Sequence, residues 1–245
     1  MSNRTPQDPT KTHSTYDTTA RYKDGTYLVN NKTWHVEDSR WKAKQILTIL
    51  SDNNISPKTI CEVGCGAGEI LKQISSTMPS TSLFGYELSP QAFELCKTRE
   101  TERVRYYLKN VLDEDIYFDC LLCIDVFEHV DDYLGFVKSL KPKSTYKVFH
   151  IPLDIYVLAI LRGSFMKARK DVGHLHYFTK ETAIATLQDC GYEIVDHFYT
   201  KFFCDLPSKT FKATIAKLTR NIVFAISPDL MVKVFGGCSL IVLCK

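Results

Sequence analysis

The 245-residue sequence lacks an excess of charge of either sign, a long apolar run and paired cysteine motifs. Its 31 basic and 28 acidic residues give a net charge of +3, which is no strong global footprint for nucleic acid. No apolar stretch approaches the roughly 20 residues that span a bilayer, and the first twenty residues are polar. These absences disfavour a transmembrane protein and a general nucleic-acid-binding protein, and we expect a cytoplasmic location.

Nine cysteines are scattered along the chain without the paired Cys-x-x-Cys modules that bind zinc. Several of them, such as Cys120 and Cys123, lie inside apolar runs typical of buried strands. Because free cysteine is commonly buried, we expect reduced thiols in the core.

Changes of composition divide the chain into five segments. Residues 1–20 predict a disordered arm, 21–56 an aromatic lid or helix segment, 57–200 a core, 201–238 a helical insertion and 239–245 a last strand. The insertion mixes apolar and basic residues. An amphipathic cover for the sheet or a homodimer contact is favoured there over a peripheral membrane contact.

Short apolar runs alternate with helical periodicity through the middle of the chain. Strands are predicted at 59–63, 83–88, 104–108, 118–125, 146–151, 192–199 and 239–244. The first five alternate with helices, which is the pattern of a parallel sheet with helices on both faces and predicts an α/β fold. A further helix is expected to be capped by Asp38 or Ser39, and the basic stretch 162–170 shows no regular pattern.

A glycine-rich loop follows the first predicted strand. Gly64, Gly66 and Gly68 give a G-x-G-x-G spacing, which differs from the G-x-G-x-x-G spacing of dinucleotide-binding loops. Glu62 stands just before the first glycine, where a carboxylate is unfavourable beside a diphosphate and favourable beside a cation. The loop therefore indicates a positively charged ligand, such as a compound with an ammonium and a sulfonium.

A second acidic residue, Glu87, ends the second predicted strand, 23 positions after Gly64. An acidic side chain there is suited to accept hydrogen bonds from both hydroxyls of a ribose. The alternative is a tight strand-to-helix turn beside a solvated strand end, and the two acids together favour the ligand site.

These motifs resemble those of the class I S-adenosylmethionine-dependent methyltransferases, particularly the bacterial group that acts on small molecules and glycan-related substrates. The resemblance covers residues 59–151, and its most specific pieces are Glu62–Gly68, Gly85–Ser89 and Phe118–Val130. It implies a Rossmann-like, mostly parallel seven-stranded sheet with an antiparallel C-terminal strand, helices on both faces and a helical insertion near the C-terminus.

The resemblance also implies S-adenosylmethionine as cofactor, with S-adenosylhomocysteine as product. By similarity, the methionine end lies against Glu62, Gly64, Cys65, Gly66 and Gly68, the ribose against Glu87 and Leu88, the adenine against Asn110 and Val111, and the methyl group beside Asp125 and Val126. Lys143 and Ser144 stand where the family often has two glycines, a departure in a turn that bears on geometry more than on donor binding.

Methyl transfer to an oxygen acceptor requires alignment and removal of a proton, a task suited to histidine. His129 follows the fourth predicted strand and is the first catalytic candidate, with Asp125, His150 and His35 as the others. The simpler alternative is that Glu128 and His129 only cap a loop.

The sequence Asp125-x-x-Glu128-His129 resembles the acidic and histidine cluster with which some methyltransferases hold a divalent cation, and His174 or His176 would complete it. Aspartate at 125 is shorter than the usual glutamate, and such residues also pair by hydrogen bonds alone. We therefore predict no metal.

The predicted acceptor is a small molecule or a glycan-related compound, with O-methylation slightly favoured. A non-catalytic S-adenosylmethionine-binding protein is the alternative, and an RNA methyltransferase is less favoured. A nicotinamide-dependent oxidoreductase conflicts with the glycine spacing and with Glu62.

Overall fold

The computed structural model describes residues 27, 31, 33, 34, 36–205 and 211–245. The arm predicted over residues 1–20 and the catalytic candidate His35 lie outside the described residues. In the described part of the chain, no helix has the length and apolarity needed to cross a bilayer.

Seven strands form one sheet in the order β3-β2-β1-β4-β5-β7-β6. Their bounds are β1 Thr59–Val63, β2 Ser82–Glu87, β3 Val104–Leu108, β4 Phe118–Ile124, β5 Ser144–Pro152, β6 Ile194–Thr200 and β7 Ser239–Cys244. Strands β1 to β5 pair in parallel, and β7 is antiparallel to both β5 and β6. The predicted mostly parallel sheet with an antiparallel last strand is confirmed.

Helices cover both faces of this sheet. They are α1 Val36–Asp52, α2 Glu69–Thr77, α3 Pro90–Lys97, α4 Tyr133–Leu140, α5 Val157–Arg162, α6 Ser164–Asp171, α7 Lys180–Asp189, α8 Phe202–Asp205, α9 Phe211–Ile226 and α10 Pro228–Phe235. Ile46, Ile49 and Leu71 of α1 and α2 are buried on one face, and Leu187 and Met231 of α7 and α10 on the other. The strands between them are apolar on both sides, as buried parallel strands require.

Two helical details differ from the prediction. Helix α1 begins at Val36, upstream of both expected caps, and Ser39 is buried within its first turns. The stretch 162–170 is helical, since it ends α5 and forms most of α6, with Gly163 between them at φ +61°. Its mixed pattern is explained by exposure, because short helices with little to bury carry no strong apolar stripe.

Candidate active site

The carboxyl ends of β1, β2, β4 and β5 meet at one edge of the sheet, which is where parallel α/β folds bind ligands. Two adjoining cavities of about 310 and 190 Å³ open there. Both are lined by Tyr27, Trp34, Gly64, Asp125 and His129. The larger cavity extends over the glycine loop towards β5, and the smaller one extends over the ends of β2 and β3.

The glycine loop turns the chain from β1 into α2 through hydrogen bonds to the end of β2. The backbone N–H groups of Gly64 and Cys65 donate to the carbonyl of Tyr86 at 2.8 and 3.1 Å. Gly66 lies at φ +55°, and a β-carbon there would be 2.6 Å from Cδ1 of Trp34. Only glycine fits this position, because both the backbone conformation and the indole exclude a side chain.

Glu62 ends as a buried carboxyl beside this loop, with 2% of its surface exposed. Its Oε2 atom has no hydrogen-bond partner within the described part of the chain. Burial raises the pKa of Glu62 well above its ordinary value and the charge of Glu87 adds to the rise, while Lys42 opposes it. A buried carboxyl with an unused oxygen is costly unless a donor or cation meets it, so Glu62 fits the ammonium expected there.

Glu87 is held by the backbone at the end of β2. One oxygen accepts the N–H of Gly66 at 2.8 Å, and the other accepts those of Leu88 and Ser89 at 2.8 and 2.7 Å. Burial raises the pKa of Glu87, although these three N–H groups act in the opposite direction. The carboxylate borders the smaller cavity, and its remaining lone pairs suit ribose hydroxyls.

Four more of the predicted cofactor residues line the same smaller cavity, whereas Cys65 lines only the larger one and Gly68 lines neither. Leu88, Asn110, Val111 and Val126 all contribute to the wall of the smaller cavity. The Asn110 side chain accepts the N–H of Leu112 at 3.1 Å and so caps the turn after β3. The structure brings every residue predicted for the ribose and adenine ends to one cavity.

Asp125 lies one residue beyond β4, at φ +53°, and contacts the side chains of Lys42 and His150. Its Oδ2 is 2.7 Å from Nζ of Lys42, and its Oδ1 is 2.6 Å from Nδ1 of His150. Burial raises the pKa of Asp125, but His150 and Lys42 outweigh burial and hold this pKa well below its usual range. The carboxylate therefore remains ionised at the edge of the larger cavity.

His150, on β5, uses both ring nitrogens in contacts within the protein. Nδ1 meets Asp125, and Nε2 lies 2.9 Å from Oγ1 of Thr200. The edge of Trp41 from α1 packs against the ring, with centroids 6.0 Å apart. This arrangement suits a residue that positions Asp125.

His129 lies in the short turn after β4 and borders both cavities. Its ring centroid is 5.0 Å from that of His174, and its Nε2 is 3.8 Å from Oε1 of Glu128. Of the described catalytic candidates, His129 and Asp125 border both cavities, and the carboxylate of Asp125 is already engaged by Lys42 and His150.

Glu128, His129 and His174 each offer a ligand atom within 4.8 Å of the others. Glu128 is 1% exposed, and neither of its carboxylate oxygens has a hydrogen-bond partner in the described chain. Asp125 is engaged by Lys42 and His150, and the Nε2 of His176 meets the Val130 carbonyl at 2.9 Å. Glu128, His129 and His174 therefore have the donor types for a divalent cation. The wider set with Asp125 and His176 is not assembled.

Lys42 is the site residue that the sequence reading missed. It lies on α1, 83 residues before Asp125 in the chain, and no short motif connects the two. The only local signal is its position beside Trp41, on the side of the helix that turns towards the sheet edge.

The model of a family described as "Methyltransferase domain" matches residues 35–197, which is more than half of the sequence. The chain belongs to this methyltransferase family. The matched region begins with α1 and includes the glycine loop, both acidic residues that border it, and the turn that carries His129.

Known methyltransferases with differing acceptors are similar to this one. The human tRNA N(3)-cytidine methyltransferase METTL6 is 24% identical over 198 residues, covering 71% of this chain and 69% of the relative. The ubiquinone biosynthesis O-methyltransferase of Rickettsia bellii is 32% identical over 126 residues, which is 46% of this chain and 51% of the relative. The aligned part thus spans about half of that relative's length.

Solved methyltransferase structures share the fold. Magnesium protoporphyrin IX methyltransferase from Synechocystis, solved with bound SAM, gives a TM-score of 0.62 at 11% identity, covering 95% of this chain and 99% of the other. The N-methyltransferase NodS from Bradyrhizobium japonicum, solved with S-adenosylhomocysteine, gives 0.59 at 16% identity, covering 93% and 97%. The described part of the chain therefore has the methyltransferase fold.

Proposed function

We propose that this methyltransferase transfers a methyl group from S-adenosylmethionine to an oxygen nucleophile of a small-molecule or glycan-related acceptor. The observation that carries the proposal is the pair of adjoining cavities around the glycine loop, with a buried acid on each side and His129 bordering both. The residues predicted to meet the nucleoside line the smaller cavity, and the larger one adds about 310 Å³ beside it.

The donor assignment depends on charge and on close approach. Glu62 offers an unused oxygen to the ammonium, Gly66 brings the backbone against the ligand, and Glu87 borders the nucleoside cavity. When bound, S-adenosylmethionine supplies a methyl group on a positively charged sulfur, which is a good electrophile. The residues present fit this donor.

The chain's own residues align the acceptor and manage its proton. As the acceptor oxygen bonds to the methyl carbon, the carbon–sulfur bond breaks and sulfur keeps the electron pair. His129 accepts the proton that the acceptor hydroxyl loses, because its ring borders the cavity where the acceptor lies. Asp125, ionised between Lys42 and His150, supplies a fixed negative charge that favours the imidazolium formed when His129 accepts this proton.

The walls of the larger cavity favour a small acceptor over the phosphate backbone of RNA. Carboxylates of Asp38, Glu69 and Asp125 line it, together with Lys42 and the three histidines His129, His150 and His174. A polyanion would be repelled by these carboxylates, whereas a neutral hydroxyl compound would not. This is the reason to rank an RNA acceptor second, although tRNA methyltransferases are among the relatives.

The proposal is tested with methyl-labelled S-adenosylmethionine and extracts separated into small-molecule, glycan and RNA fractions. We expect the labelled methyl group to appear in the small-molecule or glycan fraction, bonded to an oxygen atom of the product. Label in RNA alone would show that the protein is an RNA methyltransferase and that the proposed acceptor class is wrong. Binding of donor without transfer to any fraction would favour the non-catalytic alternative.

His129→Ala tests the base within the same assay. We expect turnover to fall by about a hundredfold or more, with donor affinity within about twofold of the original, because the donor meets other residues. His197→Ala is the matched control, since His197 is exposed on β6 and does not line either cavity. Equal turnover in both variants would exclude His129 as the base.

A further inference from the structure

A row of apolar side chains lies exposed on α9. Ile215, Leu218, Ile222 and Ile226 follow one another at intervals of three or four residues, and Ile226 is 80% exposed. The other side of this helix packs on the core through Val223 and Phe224. Single exposed apolar residues are ordinary, but a continuous row along a helix indicates a surface that meets something apolar.

Neighbouring helices extend this apolar surface. Helix α10 contacts both α9 and α5, and α5 contacts α6. Exposed apolar side chains on these helices are Val157, Ile160, Leu161, Met166 and Leu230, with Leu161 76% exposed. We name the exposed surface of α5, α6 and α9, together with Leu230, the basic face, for the reason given next.

The same helices carry most of the chain's excess positive charge. Residues 157–171 hold four basic residues and one acid, and residues 211–226 hold three basic residues and no acid. The net charge of these two segments is +6, while that of the whole chain is +3, so the remainder is negative. The one acid, Asp171, is paired with Lys167.

We propose that the basic face is a docking surface for an anionic lipid bilayer. An amphipathic surface with aliphatic side chains and interspersed Lys and Arg inserts its apolar groups at the headgroup boundary, and its cations meet anionic headgroups. The short helices and the positive charge match this mode, and no spanning helix is needed. Lipid docking is separate from methyl transfer and stands without it.

Two other occupants fit the surface less well. A second copy would bring two positively charged faces together, which like charge opposes. RNA would match the charge, but the exposed apolar groups named above are aliphatic, and bases stack on aromatic side chains. The lipid surface satisfies both the apolar row and the charge.

The basic face adjoins segments that line the larger cavity. Val172, directly after α6, and Phe202 of α8 both line that cavity, and α8 contacts α9.

Sedimentation of the full chain with vesicles tests the proposal. One set contains phosphatidylcholine alone, and the other contains one part phosphatidylglycerol to two parts phosphatidylcholine. We expect at least about tenfold stronger partitioning into the anionic vesicles, decreasing as salt is raised. Equal or undetectable partitioning into both sets at low salt would overturn the proposal.

Paired variants separate the two features of the surface. Leu218→Glu/Ile222→Glu should reduce partitioning by at least about tenfold, whereas Val195→Glu, on exposed β6 away from this face, should not. Arg162→Gln/Lys217→Gln should reduce it by about 25-fold, at roughly fivefold for each charge. Lys44→Gln/Lys72→Gln, with the same loss of net charge at exposed positions elsewhere, should leave it unchanged.

Two further measurements identify the other occupants. Light scattering that shows a dimer which Leu218→Glu/Ile222→Glu converts to a monomer would make this face a subunit contact and overturn lipid docking. Binding of tRNA that is lost in Arg162→Gln/Lys217→Gln and kept in Leu218→Glu/Ile222→Glu, without vesicle binding, would assign the face to RNA.

Discussion

The pKa values of two carboxyl groups at this sheet edge, those of Glu62 and Asp125, are shifted in opposite directions by their surroundings. Asp125 has the side chains of Lys42 and His150 within 2.7 Å and its pKa is held well below the usual range, whereas Glu62 has an oxygen without a partner in the described chain and its pKa is raised by burial. The difference assigns them different tasks. Asp125 is a fixed charge in the free protein, whereas an arriving cation favours the ionised form of Glu62.

Donor binding should therefore release a proton from Glu62. Because its pKa is raised in the free protein and an ammonium favours the carboxylate, binding and proton loss are linked, and affinity rises with pH until the free carboxyl is itself ionised. Calorimetry with S-adenosylhomocysteine in two buffers of different ionisation enthalpy measures the protons released. Glu62→Gln should bind more weakly and release fewer protons than the original chain. An unchanged proton count in this variant would contradict the linkage.

Gly66→Ala should weaken donor binding by at least about tenfold. Its β-carbon would lie 2.6 Å from the Trp34 ring, and its left-handed backbone costs on the order of 1 kcal/mol for a non-glycine residue. Gly163→Ala is the matched control, because φ is +61° there and nothing lies within 4 Å of the added carbon. Urea unfolding should show a backbone cost in both variants, and calorimetry should show lost donor affinity in Gly66→Ala alone. Equal donor affinity in the two variants would remove the close-approach argument.

At the scale of elements, strands were predictable and helix beginnings were less so. The run Phe118–Ile124 is apolar except for Asp119, which is typical of a strand covered on both faces, so its place followed from the sequence. The start of α1 did not, because Ser39 looks like a cap but is buried. Burial is set by contacts with distant residues, which no local pattern contains.

The ion pair between Lys42 and Asp125 connects helix α1 to the sheet edge. The two side chains are 17% and 21% exposed. Lys42→Ala should lower the free energy of unfolding by about 2 kcal/mol, since it leaves a largely buried carboxylate with one partner fewer. Lys97→Ala removes a cation whose partner, Glu94, is far more exposed, and should cost less than about 1 kcal/mol. Urea unfolding of both variants measures the difference. A loss of the same size in the two would show that the pair does not fasten α1.

At the scale of the whole molecule, the residues of the candidate donor site could be grouped from the sequence because each lies close to the end of a strand. Glu62 and Glu87 lie at the ends of β1 and β2, Gly66 lies three residues after β1, and parallel strands bring their carboxyl ends to one edge. The acceptor side was less predictable. His174 reaches His129 across 45 residues of sequence, and that distance is closed only by the packing of the completed fold.

The nine cysteines show how completely the fold encloses its polarisable groups. All nine are free and buried, and burial raises the pKa of Cys120, Cys238 and Cys244 to about 12. A thiol that is both inaccessible and protonated reacts slowly, because the thiolate is the nucleophile.

A charged disulfide reagent near pH 8 should therefore titrate few thiols in the folded chain within minutes, and all nine after unfolding in guanidinium. Adding S-adenosylhomocysteine should slow the reaction of Cys65 in particular, because Cys65 lines the larger cavity beside the glycine loop. Cys244, at the end of β7 and away from this loop, serves as the internal control. Rapid modification of Cys244 in the native chain would show that the sheet edge opens more readily than its packing indicates.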